Sequence, residues 1–343
     1  MSMDETYLTS RQRKILKLLN NRSLSRNQLQ KLLTEKVSKP TLFRDLRTLI
    51  SQYLVKSSGR GKATIYFKID QNPLLGSVKK VSLGDNPIHF NFEVFDHLNN
   101  LLTSKEILYL DGIYKSIDSQ IAKLGNTIAK RELERFVIDL AWKSSKIEGN
   151  TYSLLETEIL IKSGQTPPGH TTEETAMILN HKTAFDTILT NRRDFKIINL
   201  SDITQLHNIL IQNLNVEPGV RKHPVAITGS RYLPLDNQWQ INEALDTLTV
   251  TLNSVSHPFE KALIASCMIA YIQPFGDGNK RTSRMFANAI LLAHDYYPLS
   301  YRAVSEIDYK KALISFYEQN SLVQLKKILI QQYEFVLDNY FRV

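Results

Sequence analysis

A chain of 343 residues and 39.4 kDa is too long for one small module and predicts two domains or three. Its 42% hydrophobic and 22% charged content is that of a folded soluble protein, with no apolar stretch long and uninterrupted enough to span a bilayer; the single cysteine, Cys267, excludes an intrachain disulfide. The net charge of +9 is uneven: residues 1–70 hold fifteen Lys or Arg against five Asp or Glu, and the remainder twenty-eight against twenty-nine. A basic surplus confined to one module points to nucleic acid, with a merely solvated cationic surface as the alternative. The polar start, Met1 to Ser10, predicts no signal peptide, and with the lone thiol suggests a reducing, cytoplasmic setting.

Taken in order, Thr9 to Leu19 is predicted as an amphipathic helix carrying Ile15, Leu16, Leu18 and Leu19. Ser23-Leu24-Ser25 opens a second, with Ser25 as cap and Leu29, Leu32 and Leu33 facing inward. A third begins near Ser38-Lys39-Pro40-Thr41, where Pro40 suits the first turn and Leu42, Leu46, Leu49 and Ile50 form the stripe. Leu54 to Lys56 and Thr64 to Phe67 read as two strands around a basic turn, Ser57 to Lys62. Three helices and a basic hairpin outline a winged helix-turn-helix over 1–70, and Val37 to Leu46 resembles the recognition helix of bacterial regulators. Lys39, Thr41 and Arg44 would then reach phosphates or base edges of duplex DNA, with Arg60 and Lys62 on the wing. Such modules also dock proteins or dimerise, so a homodimer stays open beside DNA.

Residues 71–131 read as a connector, with Pro73, Gly76, Gly84 and Pro87, followed by a helical extension: Phe92 to Leu101, Ser104 to Tyr109 or on to Tyr114, and Ser116 to Ile128. Residues 132–343 form the main domain. Glu132 to Lys143 is a helix running into Ser144-Ser145-Lys146-Ile147-Glu148-Gly149-Asn150, where Gly149 marks the stop and Glu148 opposes the helix dipole. Helices follow at Thr151 to Ile161, from Thr171 or Thr172 to Leu189, and at Asp202 to Leu214. Val225 to Ile227 and Arg231 to Leu233 are placed to pair as a short hairpin around Thr228-Gly229-Ser230. Trp239 to Val255, Phe259 to Ile272, Lys280 to His294, Tyr301 to Gln319 and Leu322 to Tyr340 complete a mainly α domain. His181 and His207 lack any metal-ligand spacing and read as packing or polar-network residues.

The most informative stretch is Gln273-Pro274-Phe275-Gly276-Asp277-Gly278-Asn279-Lys280-Arg281-Thr282-Ser283-Arg284. Pro274 stops an apolar helix, Gly276 and Gly278 give the loop conformational freedom, and Asn279 stands as the cap of the next helix. Backbone N–H groups and a positive helix end converge there, with Lys280, Arg281 and Arg284 behind them: an anion site. Two arginines in the first turns oppose the helix dipole, a cost that a bound anion would offset.

This stretch resembles the signature of the Fic family, His-Pro-Phe-x-Asp/Glu-Gly-Asn-Gly/Lys-Arg-x-x-Arg, with one departure: Gln273 stands at the catalytic histidine. The resemblance implies a helical Fic core with a small β-hairpin flap, and AMP transfer from ATP to a Ser, Thr or Tyr hydroxyl of a target protein. It implies nucleotide contacts from Phe275, Gly276, Gly278, Asn279, Lys280, Arg281 and Arg284, Mg²⁺ at Asp277, and a catalytic set of Gln273, Asp277, Arg281 and Arg284. The flap, Val225-Ala226-Ile227-Thr228-Gly229, would align the target. Ser144, Glu148 and Gly149 match the family's inhibitory motif, in which the glutamate pairs with the last arginine, here Arg284, and occupies the γ-phosphate space. A carboxamide has no basic lone pair at neutral pH, so Gln273 cannot replace an imidazole as general base. Two functions stay open: an adenylyltransferase autoinhibited by Glu148, or an impaired nucleotide sensor that binds DNA.

Overall fold

The computed structural model describes residues 8–19, 22–33, 37–51, 54–59, 61–68, 72–76 and 86–342, with the backbone alone at Lys62. The chain divides into two compact units, Met1–Ser77 and Val78–Val343.

In the first unit, Thr9 and Gln12 form a reciprocal capping box that opens α1 (Ser10–Leu18). Ser25 and Gln28 do the same for α2 (Arg26–Leu32), and the Ser38 hydroxyl accepts the Thr41 N–H at the start of α3 (Lys39–Ser51). Ser23–Ser25 is itself a strand, β1, which the sequence reading had merged into the helix start. Three residues, two of them serine, carry almost no alternation; the strand exists because β3 (Ile65–Lys68) offers an edge to it. With β2 (Val55–Ser58) the sheet runs β1-β3-β2, antiparallel throughout, and Tyr66 faces both Leu24 and Ser57. The predicted stripe of α3 is the core here: Leu42, Leu46 and Leu49 are buried with Ile15, Leu29, Val55 and Tyr66. Asp45 is buried too, and accepts from Arg11 Nε at 2.5 Å and from Gln12. It is the one carboxylate among the described residues of this unit.

The second unit is helical around one antiparallel pair, α11 (Pro258–Ile272) and α12 (Asn279–Ala293), whose side chains are almost all buried. α10 (Gln238–Ser254), α13 (Glu306–Gln319) and α14 (Val323–Asn339) pack on α11. α6 (Asn126–Ile147), α8 (Thr172–Asn191) and α9 (Leu200–Leu210) pack on α12. The rest of the unit comprises β4 (Ile88–His89), 3-10 turns at Phe92–His97 and Arg192–Lys196, α4 (Ser104–Ile113), α5 (Ile117–Leu124), α7 (Leu154–Ser163) and β5 (Tyr232–Leu233). Among the described residues no helix is long and apolar enough to cross a membrane. Cys267 is buried in α11 as a small core side chain.

Several boundaries move for identifiable reasons. The helix expected over Ser116 to Ile128 breaks at Gly125, whose φ of 71° separates α5 from α6; α6 then runs unbroken across residue 131. The helix expected from Tyr301 starts at Glu306, because Tyr301 lies at φ 56° and Ser305 supplies the cap. The β-hairpin flap does not form. Arg231 O accepts from Ile88 N–H and β5 pairs in parallel with β4, so the backbone of 231–233 is committed to another partner. Val225 to Gly229 runs without strand pairing, closed by one turn bond from Ser230 N–H to Ile227 O.

Candidate functional site

The α11–α12 connection is a loop fixed from three directions. Gln273 caps α11 in the left-handed region, φ 51° and ψ 57°. Its carboxamide Nε2 donates to Ala270 O at 2.7 Å and its Oε1 accepts from Asn279 Nδ2 at 3.0 Å. Each end of the amide thus makes one bond within the helix end and loop. Arg221, nearly buried, donates from Nε to Gln273 O at 2.6 Å and from its backbone N–H to Pro274 O at 2.9 Å. Phe275 is buried and stacked on His207, ring centroids 3.6 Å apart and planes within 8°; His207 Nε2 donates to Asp277 O at 3.0 Å.

Two expectations about this loop need correction. Asn279 is the first residue of α12 rather than its cap, and the residue before it, Gly278, occupies the cap position at φ 81° with no side chain to bond. Asn279 instead folds back to hold the loop, accepting from Phe275 N–H at 2.9 Å and donating to Phe275 O at 2.8 Å. Of the two loop glycines, Gly278 alone requires its residue type. A Cβ there would meet Ile211 Cγ2 at 3.2 Å in a backbone region that L-residues rarely adopt, whereas Gly276 is not left-handed and has open space around it.

The loop, α12, α13 and the 225–228 segment enclose a cavity of about 450 Å³, within the usual range for small-molecule sites. Gln273, Gly276, Asp277, Gly278, Asn279, Lys280 and Arg281 form its floor, Val225 to Thr228 one wall, and Glu148 one end. The start of α12 faces it without a side-chain cap, so its positive end is available to an anion. Gly278 N–H is already engaged by Asp277 Oδ1 at 2.6 Å. The Asp277 side chain is 72% exposed and its Oδ2 lies 3.2 Å from Arg281 Nη2. Arg281 is otherwise buried, donating to Leu210 O at 3.2 Å.

Arg284 is wholly buried, and α6 supplies its partners. Its Nε donates to Ser144 Oγ and its Nη2 to Ser144 O, both at 2.9 Å. Glu148, the C-cap of α6, places Oε1 2.9 Å from Nη2, while Oε2 lies 3.6 Å from Lys280 Nζ; Gly149 turns the chain away at φ 100°. Burial opposes the charge of Glu148, but Arg284, Lys280 and Arg281 outweigh it and hold its carboxyl below the ordinary range. An acid at a helix C-terminus and a base at a helix N-terminus, each unfavourable alone, therefore neutralise one another.

Of the residues expected at the site, Ser144, Glu148, Gln273, Phe275 to Arg281 and Arg284 converge in this unit, and Val225 to Thr228 line the same cavity. In the first unit Lys39 and Arg44 are exposed on α3, and Thr41 Oγ1 is bonded to Ser38 Oγ at 2.8 Å. Arg60 and the Lys62 side chain lie outside the described residues. Sequence reasoning missed the wall from α13: Lys310, Leu313, Ile314 and Tyr317. Their spacing marks one helix face, but nothing local says what that face meets. It also missed the structural part of Arg221, whose basic neighbourhood reads as surface. Among the described residues no cluster of three or more His, Cys, Asp or Glu is placed to hold a metal by itself.

The site is thus an uncapped helix start with a buried arginine behind it, closed by a glutamate from another helix. Residues 197–291, which include α9 and most of α12, match the Fic/DOC family. The protein adenylyltransferase fic-1 of Caenorhabditis elegans is 24% identical over 195 residues, 55% of this chain and 38% of that one. The protein adenylyltransferase Fic of Aedes aegypti is 30% identical over 182 residues, 51% and 36% of the two chains, and that of Nematostella vectensis 27% over 193, 55% and 45%. The chain spans less than half the length of these relatives. Among solved structures, residues 134–508 of C. elegans Fic-1 align with a TM-score of 0.55 at 21% identity, covering 69% of this chain and 73% of that one. A Fic family protein from Desulfovibrio desulfuricans gives 0.55 at 21%, covering 75% and 78%. The fold of the helical unit is that of these Fic structures.

Burial sets a pH response. Burial pushes His181 down to about 3 and His207 down to about 4, with backbone carbonyl bonds and nearby arginines acting as smaller influences. An unfolded histidine titrates near 6.5, so between that value and the folded one the unfolded chain binds the extra proton and stability falls as pH falls. The slope is about 1.4 kcal/mol per pH unit for each buried imidazole. Urea unfolding of wild type and His207→Leu at pH 7 and pH 5 checks this. Wild type should lose more stability between the two pH values than the variant, and equal losses would contradict the assignment of His207 as a buried neutral group.

Proposed function

We propose that the helical unit binds Mg-ATP at the α11–α12 loop and belongs to the protein AMP-transfer class, with Glu148 as its inhibitory residue. The observation that carries the reading is the Glu148–Arg284 pair of 2.9 Å, set behind an uncapped helix start that opens into a nucleotide-sized cavity. The names of the relatives support the reaction class. On this reading the start of α12, Lys280 and Arg281 receive phosphate oxygens, and Arg284 receives the terminal phosphate once Glu148 moves away. Asp277 is a single exposed carboxylate at the cavity, which suits Mg²⁺, an ion commonly held by one carboxylate together with substrate phosphates. When bound, the ion would neutralise phosphate charge. The 225–229 segment, unpaired in its own fold, would take the target's backbone by strand addition.

Gln273 limits the chemistry. The attacking hydroxyl needs a proton acceptor, and a carboxamide, here bonded to Ala270 O and Asn279 Nδ2, is not basic. Loss of a general base costs about 10²–10⁴ in rate. Wild type, Glu148→Gly, Gln273→His and the double variant, incubated with labelled ATP, magnesium and a cell lysate, test the reading together. The double variant should label protein about 10²–10⁴ faster than Glu148→Gly. No label in any of the four, with folding and ATP binding confirmed, would contradict AMP transfer at this site.

A second reading, a nucleotide-sensing regulator that binds DNA through a winged helix in the first unit, is favoured by two observations. Gln273 is tied down, and the one described carboxylate of the first unit is turned inward onto Arg11, leaving Lys39, Arg44 and Arg47 exposed along α3 without a nearby acid on that helix. The chain should shift a pool of duplexes at low ionic strength and release it steeply as salt rises. Failure to shift any duplex at low salt would leave protein docking as the role of that unit.

A further inference from the structure

Glu148 is not the only group that holds Arg284. Ser144 meets the guanidinium at two atoms with aligned hydrogen bonds, Oγ from Nε and O from Nη2. Glu148 Oε1 lies 2.9 Å from Nη2 and adds the countercharge. Nη1 has no hydrogen-bond partner among the described residues.

The Ser144 hydroxyl is in turn oriented from α8. His181 is 1% exposed, with Nδ1 2.7 Å from Met177 O and Nε2 2.8 Å from Ser144 Oγ. A carbonyl oxygen only accepts, so Nδ1 carries the ring proton and Nε2 is the bare acceptor. Ser145 Oγ, 3.4 Å from Nδ1, is compatible with the same tautomer. The Ser144 proton therefore points to Nε2, and an oxygen lone pair is left facing Arg284 Nε. The order of donation is Arg284 to Ser144, Ser144 to His181, and His181 to Met177 O. Burial, reinforced by the Arg281 and Arg284 cations, keeps the imidazole neutral and so able to accept.

We propose that His181 is a positioning residue for Arg284, acting through the Ser144 hydroxyl, and that this seat holds the guanidinium whether or not Glu148 is paired with it. Glu148 can then leave without the arginine losing its aim. The ligand part of this statement rests on the nucleotide reading above; the seat itself does not.

Hydrogen exchange at Arg284 Nε–H, followed by NMR on the full chain with ¹⁵N-arginine and assigned by loss of the signal in Arg284→Lys, tests it. Wild type and Glu148→Gly should both show a slowly exchanging proton. Ser144→Ala and His181→Leu should exchange about tenfold faster or more, having lost the acceptor or its orientation. His181→Gln, which can present an acceptor to Ser144, should recover protection in part. Slow exchange in a folded His181→Leu protein, or fast exchange in Glu148→Gly, would overturn the proposal. Should His181→Leu not fold, Ser144→Ala and His181→Gln decide it: slow exchange in the first or full loss in the second would contradict the relay. Calorimetry of the same proteins with Mg-ATP should show weaker binding in Ser144→Ala than in wild type. If none binds Mg-ATP, the nucleotide reading fails while the exchange rates still decide the seat.

Discussion

A fully buried guanidinium needs compensation for the water it has lost, and the arrangement around Arg284 supplies it. Two acceptors come from Ser144 and a countercharge from Glu148, all from the last turns of α6. Deleting one partner of such a pair leaves an uncompensated charge, so α6 and α12 are bound to one register with respect to each other. The same compensation has a weak point. The Glu148 side chain is 17% exposed, where Arg284 is wholly buried, and it lines the cavity. On the proposed reading, an anion entering the cavity would displace Glu148 and leave the Ser144 bonds to Arg284 in place.

The loop in front of Arg284 is rigid for a different reason. Gln273 and Gly278 both lie in the left-handed region, and one of them carries a side chain that the region disfavours. Asn279 and Arg221 hold it there from inside and outside the loop, through Gln273 Oε1 and Gln273 O. Gln273 is thereby part of the scaffold that shapes the floor of the cavity. On the proposed reading, binding and proton transfer are separable in such a site: the groups at the helix start would receive phosphate, while Gln273 has no basicity to offer an attacking hydroxyl.

Much of this was legible in the sequence, for physical reasons. The all-apolar run of α11, Pro274 behind it and two arginines three residues apart define the helix-loop-helix and its charge. Glu148 before Gly149 at a helix end is an electrostatic mismatch that calls for a cation. The α3 part of the first unit's core followed from periodicity, since Leu42, Leu46 and Leu49 fall on one side of it, whereas Leu32 of α2, expected inward, is 43% exposed. What escaped were features decided by partners distant in sequence. β1 is a strand because β3 lies beside it, and β5 pairs with β4 rather than folding back on 225–227. Asn279 resembles a cap by position, yet a left-handed Gly278 takes that place and frees the asparagine to bind the loop. The isolated histidines were rightly read as polar-network residues, but only the packed fold shows that His181 reaches Ser144 and thus Arg284.

The central claim is that Glu148 and the terminal phosphate of a nucleotide compete for Arg284. Calorimetric titration of wild type and Glu148→Gly with Mg-ATP and with AMP separates that competition from any general loosening of the site. The account predicts a gain in affinity for ATP on removing Glu148 and little change for AMP, whose single phosphate would stop short of Arg284 on the proposed reading. Equal gains for both nucleotides, or none for ATP, would contradict it.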